Sequence, residues 1–319
     1  MHAIRERIEQ KVGVPNIANL LAQSLSATDL QSLLLEVYRQ RAKDKTPADV
    51  LRDYKQNRFV RPANVHPQDL HNVEDVFYAQ IPDAFELLAL SPVAPLGTNS
   101  VAASVDQNWT VTTIRNTEVI SDATNVLALE CATRRQATTK TKGTNLEAVH
   151  LAASHRFLRP QFYDKPAFLP HFHMMSLCSA GRDQGNLGFE LASFLMHLEY
   201  YLASVQKIVD GSVTLAVYIT DFHETDRSSF LEKGLLHPLS SKFPQVSIGF
   251  DPERVSGKRY YRDLCFHIYA NPDTDEVMQL ADGGSVDWTQ KYLSNKKERL
   301  VISGISSERL CSLRRNAQN

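Results

Sequence analysis

The run Val213-Thr-Leu-Ala-Val-Tyr-Ile219 places its larger aliphatic side chains at every second position, and Leu264, Phe266 and Ile268 repeat that spacing. A period of two is the signature of a strand whose sheet is covered on one face and less so on the other. Phe85 to Leu90 and Trp109 to Ile114 read as further strands, separated by proline and glycine. Among them lies one strong helix, in which Leu191, Leu195, Leu198 and Leu202 form an aliphatic stripe at helical spacing. Glu190 falls in its first turn, where the helix dipole favours a carboxylate. Ser121-Asp-Ala-Thr-Asn-Val-Leu-Ala-Leu129 reads as another helix entry after a strand. Strands interrupted by helices without strict alternation predict the α+β class rather than a doubly wound sheet.

The first 60 or so residues have a different texture. Leu30, Leu33, Leu34 and Val37 follow Thr28 and Asp29, which can cap a helix, and Thr46-Pro47 opens a second helix with Val50, Leu51 and Tyr54 on its apolar face. The sequence therefore divides into a helical N-terminal appendage over 1–65 and a core over 66–319. The polar stretch Thr138 to Asn145, which contains Gly143, reads as a loop.

A formal net charge of -1, from 35 basic and 36 acidic residues, gives no bulk field for nucleic acid or anionic lipid, so any RNA contact needs a local patch such as the basic residues of the appendage. Cys131, Cys178, Cys265 and Cys311 lie far apart and read as reduced core residues. No signal-type or membrane-length apolar run is present, so the expectation is no membrane contact and a cytoplasmic location. The histidines show no H-E-x-x-H spacing, and the sequence has no G-x-S-x-G, Walker or G-x-G-x-x-G motif after a strand.

Ser154-His-Arg-Phe-Leu-Arg-Pro-Gln161 followed by His171-Phe-His173 reads as a hairpin with a long tip, carrying arginines whose planar guanidinium groups can fork onto phosphate. The order His155-Arg-Phe-Leu-Arg-Pro-Gln161, then Phe172-His-Met174, resembles motif 2 of the histidyl-tRNA synthetases, which are class II synthetases. Ser303-Gly-Ile-Ser-Ser-Glu-Arg-Leu310 resembles their motif 3. Ser256-Gly-Lys-Arg-Tyr-Tyr261 and Asp282-Gly-Gly-Ser-Val-Asp287 are similar to the family's "R-G-L-D-Y-Y" and "G-G-R-Y-D" signatures. The chain departs from the family at Leu158 for glutamate, Met174 for glutamine, Ser256 for the catalytic arginine, Ser285-Val286 for Arg-Tyr and Ser306 for glycine.

The resemblance implies a class II synthetase-like antiparallel sheet flanked by helices, with no anticodon-binding domain within the 319 residues. It implies ATP with Mg²⁺ as cofactor and Arg156 and Arg309 as the catalytic, phosphate-holding groups. Arg159, Phe172 and Glu308 complete the implied cofactor contacts. Tyr260, Tyr261 and Asp287 become candidates for a substrate pocket, with Glu118 or Asp122 for a substrate amino group. Arg254, Lys258 or Arg259 could replace the missing catalytic arginine. The family's motif 1 position falls on Phe85 to Gln107, which implies a homodimer through that segment.

Three readings follow. The chain binds ATP or another nucleotide and activates a small amino or carboxylic acid as an acyl-adenylate. Alternatively it is a non-catalytic, ligand-sensing paralogue acting on a partner protein, as the regulatory subunit of ATP phosphoribosyltransferase does. The third reading is an RNA-binding module.

Overall fold

The computed structural model describes residues 2–142, 147–161, 170–209, 211, 213–271 and 277–318. The N-terminal part is helical: α1 His2–Val12, α2 Ile17–Gln23, α3 Ala27–Lys43 and α4 Pro47–Gln56. Thr46 caps α4 in a reciprocal capping box with Asp49, and Pro47 occupies the first turn. The cap of α3 lies upstream of the expected pair: Ser26 accepts from the Asp29 backbone N–H, because only Ser26 keeps the extended backbone a cap needs. Ile4, Ile8 and Val12 of α1, Leu33, Val37 and Tyr38 of α3, and Val50, Leu51 and Tyr54 of α4 are all exposed.

Beyond α5 (Pro67–Gln80) the chain builds one large sheet. Its strands are β1 Phe85–Leu87, β4 Val149–Leu158, β5 His171–Arg182, β6 Leu215–Asp221, β7 Ser247–Phe250, β8 Leu264–Ala270, β9 Met278–Val286 and β10 Glu298–Ser306. Their order is β1-β4-β5-β10-β9-β8-β6-β7, antiparallel except for the outer pairs β1–β4 and β6–β7. A small ribbon pairs β2 (Val93–Pro95) with β3 (Thr117–Val119). Helices α6 Thr98–Val101, α7 Ala123–Lys142, α8 Gly188–Ile208, α9 Ser228–Leu231, α10 His237–Lys242, α11 Trp288–Leu293 and α12 Ser307–Gln318 complete the chain.

Helices cover both faces of the sheet. On one, α5, α8 and α12 bury Phe77, Phe194, Leu198, Tyr201 and Leu310 against Ala152, Leu177, Val301 and Phe266. On the other, α7 and α11 bury Leu127, Cys131 and Trp288 against Leu151, Cys178 and Ile302. The aliphatic stripe read on α8 faces the first of these layers. All four cysteines are free and buried, as expected.

Two charged or polar devices pin helices to the sheet. Arg135 of α7 and Glu298 of β10, 1% and 2% exposed, form a two-pronged ion pair, with a third bond from Arg135 Nη1 to the Glu147 carbonyl. On the opposite face His197 of α8 bridges Ser179 Oγ and Ser303 Oγ at 2.8 Å each, and Tyr201 joins Ser303 at 2.9 Å. Burial pushes the His197 imidazole down to about 3, so it sits there neutral.

Two sequence expectations are corrected. Trp109 to Ile114 is not a strand: a 3₁₀ turn covers Gln107–Trp109, and the stretch meets the ribbon at an isolated Thr112–Glu118 bridge, beside which the hydroxyls of Thr113 and Thr117 bond each other. The reason lies next door, where the Gln107 amide turns inward to donate to Glu118 and Thr110. Thr138 to Lys142 is helix, not loop: it continues α7, whose earlier turns are fixed to the sheet by Leu127, Cys131 and Arg135, so packing upstream carries a polar run that lacks an apolar period of its own. The rest of that expected loop, 143–145, lies outside the described residues.

Candidate functional site

Strand alternation decides where the motif residues point. Along β4, Ala152 lies in the α5/α8/α12 layer, while Leu151, Ala153 and Phe157 lie on the α7 side. Ser154 and Arg156 share the phase of Ala152. Ser154 accordingly meets Glu74 of α5, and Arg156 forms an ion pair with Glu308 of α12 at 2.8 Å and donates to His171 Nδ1 at 3.1 Å. Burial, aided by the Arg156 charge, pulls neighbouring His173 down to about 4.

Arg309 follows Glu308 but turns to another partner, the Gln279 carbonyl of β9, and burial lowers its guanidinium. The two arginines read as a phosphate pair are thus held by different elements. Glu118 is fully buried and accepts from the backbone N–H of Gly97 and Asn99, from Asn99 Nδ2 and from Gln107 Nε2. Burial alone would raise its carboxyl, but the bonds from Gln107, Asn99 and Gly97 together hold it below the ordinary value. With those acceptor sites filled, Glu118 organises the segment 97–118 and has no room for a substrate amino group.

The α7 side gathers the remaining candidates. Asp122 precedes α7, where it accepts from Thr124 N and Oγ1 and pairs with Arg159 at 3.0 Å. Arg159 also donates to the Ser121 carbonyl and lies 5.1 Å from the centre of the Phe172 ring. Tyr260 is next to this group; burial pushes its hydroxyl well above the ordinary value, and the charges of Asp122 and Asp282 add to that shift while Arg159 opposes it. Tyr260 and Tyr261 meet edge to face at 5.0 Å, and Tyr260 stacks similarly on Trp288. Both tyrosines border a cleft of about 420 Å³ with Asp287. Asp287 itself pairs with Lys291 at 2.9 Å and Arg262 at 3.3 Å.

The paired glycines Gly283 and Gly284 have a packing explanation. A Cβ at Gly284 would come within 2.4 Å of the Tyr261 ring and 2.6 Å of the Leu264 carbonyl, and one at Gly283 within 2.6 Å of Phe266. Aromatic rings press on the backbone from both sides of β9, which only glycine allows. At Gly304 a Cβ would lie 2.9 Å from Met174 Cε, so the methionine that replaces the family's glutamine covers that backbone.

The structure adds a cluster that motif reading did not assemble. Ser176, Gly304, Asp282 and His267 form one cross-sheet row on the α7 side. Asp282 Oδ1 faces Arg254 Nη2 at 3.2 Å and His267 Nε2 at 3.5 Å, while Tyr269 holds His267 Nδ1 at 3.0 Å. Arg254 also donates from Nε to the Ser256 carbonyl and lies 5.7 Å from the Tyr261 ring. Its side chain is 4% exposed, yet Nη1 is buried without a hydrogen-bond partner. The alternation Cys265, His267, Tyr269 was readable along β8, but nothing in sequence ties it to Asp282 or Arg254. Among the described residues no cluster of His, Cys, Asp and Glu could hold a metal ion, and no helix is long and apolar enough to cross a membrane.

This architecture is the class II aminoacyl-tRNA synthetase-like fold. No protein-family model matches the sequence, and no curated protein matches it. Solved structures do match. The histidyl-tRNA synthetase of S. aureus aligns with a TM-score of 0.58 at 12% identity, over 81% of this chain and 73% of that one. A histidine–tRNA ligase subunit from Alicyclobacillus acidocaldarius gives 0.58 at 11% identity, over 81% of this chain and 98% of its own. An ATP phosphoribosyltransferase regulatory subunit/histidyl-tRNA synthetase from Bacillus halodurans gives 0.57 at 11% identity, covering 79% and 82%.

Proposed function

We propose that this chain is a ligand-sensing relative of the histidyl-tRNA synthetase core that forms no adenylate and takes a small amino or carboxylic acid beside Arg254 and Asp282. Arg254 carries the reading. A buried N–H without an acceptor costs about 1–3 kcal/mol, and a ligand carboxylate supplies the acceptor that Arg254 Nη1 lacks. Asp282, 39% exposed at its side chain, is approached by Arg254 and His267 through Oδ1, which leaves Oδ2 for a ligand ammonium or hydroxyl. Engagement of Arg156 by Glu308, and of Asp122 by Arg159, argues against a site poised for phosphate and amino-group binding.

The competing reading keeps ATP with Mg²⁺ and acyl-adenylate formation. It is favoured by the Arg159 guanidinium over Phe172, a flat cationic surface beside the cleft, and by Arg309 in the first turn of α12. There Arg156 would leave Glu308 to reach a phosphate. Either reading accommodates a homodimer through Phe85 to Gln107 and a partner protein.

ATP–pyrophosphate exchange tested with each amino acid separates the two: the sensing reading expects none, and exchange with any substrate overturns it. Thermal shift then identifies the ligand, since saturation at 100 times Kd stabilises the fold by about 2.7 kcal/mol. That shift should vanish in Arg254→Met and persist in Arg156→Met.

A further inference from the structure

The cleft bordered by Tyr260 and Tyr261 is walled by three segments: the turn 257–262, α11 with the residue before it, and residues 102–104. The turn is tightly built. Gly257 takes a left-handed backbone at φ 84°, and its carbonyl accepts from the backbone N–H groups of both Tyr260 and Tyr261. A Cβ at Gly257 would lie 2.9 Å from the Tyr261 ring, so the turn is seated on that side chain. Its far end is pinned where the Arg262 N–H bonds the Ser285 carbonyl of β9. Lys258 and Arg259 stand at the centre of the turn, both exposed. Across the cleft Lys291 of α11 donates to the Ala102 carbonyl at 3.2 Å, which ties the other two walls together.

The lining is charged, and its charges do not balance. Four cations, Lys258, Arg259, Arg262 and Lys291, face two carboxylates, Asp263 and Asp287, an excess of two positive charges. Asp287 already holds Arg262 and Lys291, whereas neither Lys258 nor Arg259 has a partner among the described residues. Unpaired cations in a concave site with buried walls raise the local potential and favour an anion there. Ala102, Ala103, Tyr261 and Trp288 are buried, so the cleft offers an uncharged ligand little apolar surface. Charge then narrows the class of anion. A phosphate monoester carries about −1.5 to −2 at pH 7, which matches the excess, and its three oxygens suit both a forked guanidinium and the point charge of an ammonium. The volume of about 420 Å³ falls among those of small-molecule sites.

We propose that the cleft between the turn 257–262 and α11 binds a small phosphate monoester, gripped by Lys258 and Arg259 with Arg262 and Lys291 beside them. The cleft shares the Tyr261 wall with the proposed acid site but uses neither Arg254 nor Asp282, so it stands whether or not that reading holds. Isothermal titration of the full chain with glucose 6-phosphate, inorganic phosphate, glucose and succinate tests it, in the wild type and in Lys258→Met/Arg259→Met. Both replaced side chains are exposed and unpartnered, so the variant should keep the wild-type thermal transition. The expected result is saturable binding of the two phosphates, none of glucose, and weaker binding of succinate. Phosphate affinity should fall by about tenfold or more in the double variant and persist in Arg254→Met. It should also rise from pH 5 to pH 7, as the phosphate gains its second charge near pH 6. Asp287→Asn removes a negative charge from the lining and should tighten binding, a change in the direction that a merely damaged fold would not give. Absence of phosphate binding to the wild type, equal affinity in the double variant, or loss in Arg254→Met instead overturns the proposal. Succinate bound as tightly as the phosphates would overturn the phosphate assignment. Binding of a single-stranded RNA oligonucleotide through Lys258 and Arg259, with no binding of either phosphate, would give the cleft to nucleic acid and overturn it equally.

Discussion

Acid should destabilise this fold through one residue more than any other, His197. It is fully buried between Ser179 and Ser303, and burial holds its imidazole at about 3, against an ordinary value near 6.5 in the unfolded chain. The folded group therefore stays neutral while the unfolded one gains a proton as pH falls below about 6.5. Between there and about 3 the unfolded state binds more protons, so stability declines steadily across that window and is complete only above it. From pH 7 to pH 5 the loss from this group is about 2 kcal/mol, at ~1.4 kcal/mol per unit over the ~1.5 units crossed. Urea unfolding at the two pH values, in the wild type and in His197→Gln, measures it. The variant lacks the titrating group while keeping an amide that can bond the serine hydroxyls. Its pH 7 to pH 5 loss should be smaller than that of the wild type by about 2 kcal/mol. Equal losses in the two proteins would refute the reasoning, because they would mean that His197 protonates in the folded state as readily as in the unfolded one.

Other expectations follow from the buried contacts. Arg135→Met should cost about 3–5 kcal/mol in urea unfolding, because it strands Glu298 in the interior, and the double change Arg135→Met/Glu298→Leu should recover most of that loss. Gly284→Ala should destabilise by about 1–3 kcal/mol, since Tyr261 and the Leu264 carbonyl block the new methyl, whereas Gly249→Ala, with nothing within 4 Å, should be nearly neutral. Glu118→Gln should cost about 1–3 kcal/mol at pH 7, as its new amide faces N–H donors. Because the folded Glu118 carboxyl lies below its ordinary range, its contribution is present above about pH 4.3 and is lost as pH falls further, so the wild type and Glu118→Gln should converge in acid.

The sheet was legible because its signal is local. Val213 to Ile219 and Leu264 to Ile268 announce a covered face within a few residues, and the ends of β6 and β8 lie within two residues of those bounds. The α8 stripe and the Thr46 cap were equally direct. Trp109 to Ile114 misled because β-branched composition states a preference for extended backbone, not the presence of a strand to pair with. The candidate site was less legible for a related reason. A motif gives spacing, but the phase of a strand gives the face, and one residue of phase carries a side chain from one side of the sheet to the other.

Short-range patterns thus determined by themselves an α+β chain with a helical N-terminal part, and the ordered motifs carried a resemblance that implied a synthetase-like antiparallel sheet flanked by helices. Tertiary structure decided the rest. It turned Arg156 toward Glu308, enclosed Glu118 among donors from four groups, and laid Met174 across Gly304. It also brought Arg254, Asp282 and His267 together from three separate stretches of chain. Such contacts depend on which strands become neighbours and in what register, and pairing across the sheet sets both beyond the reach of local sequence.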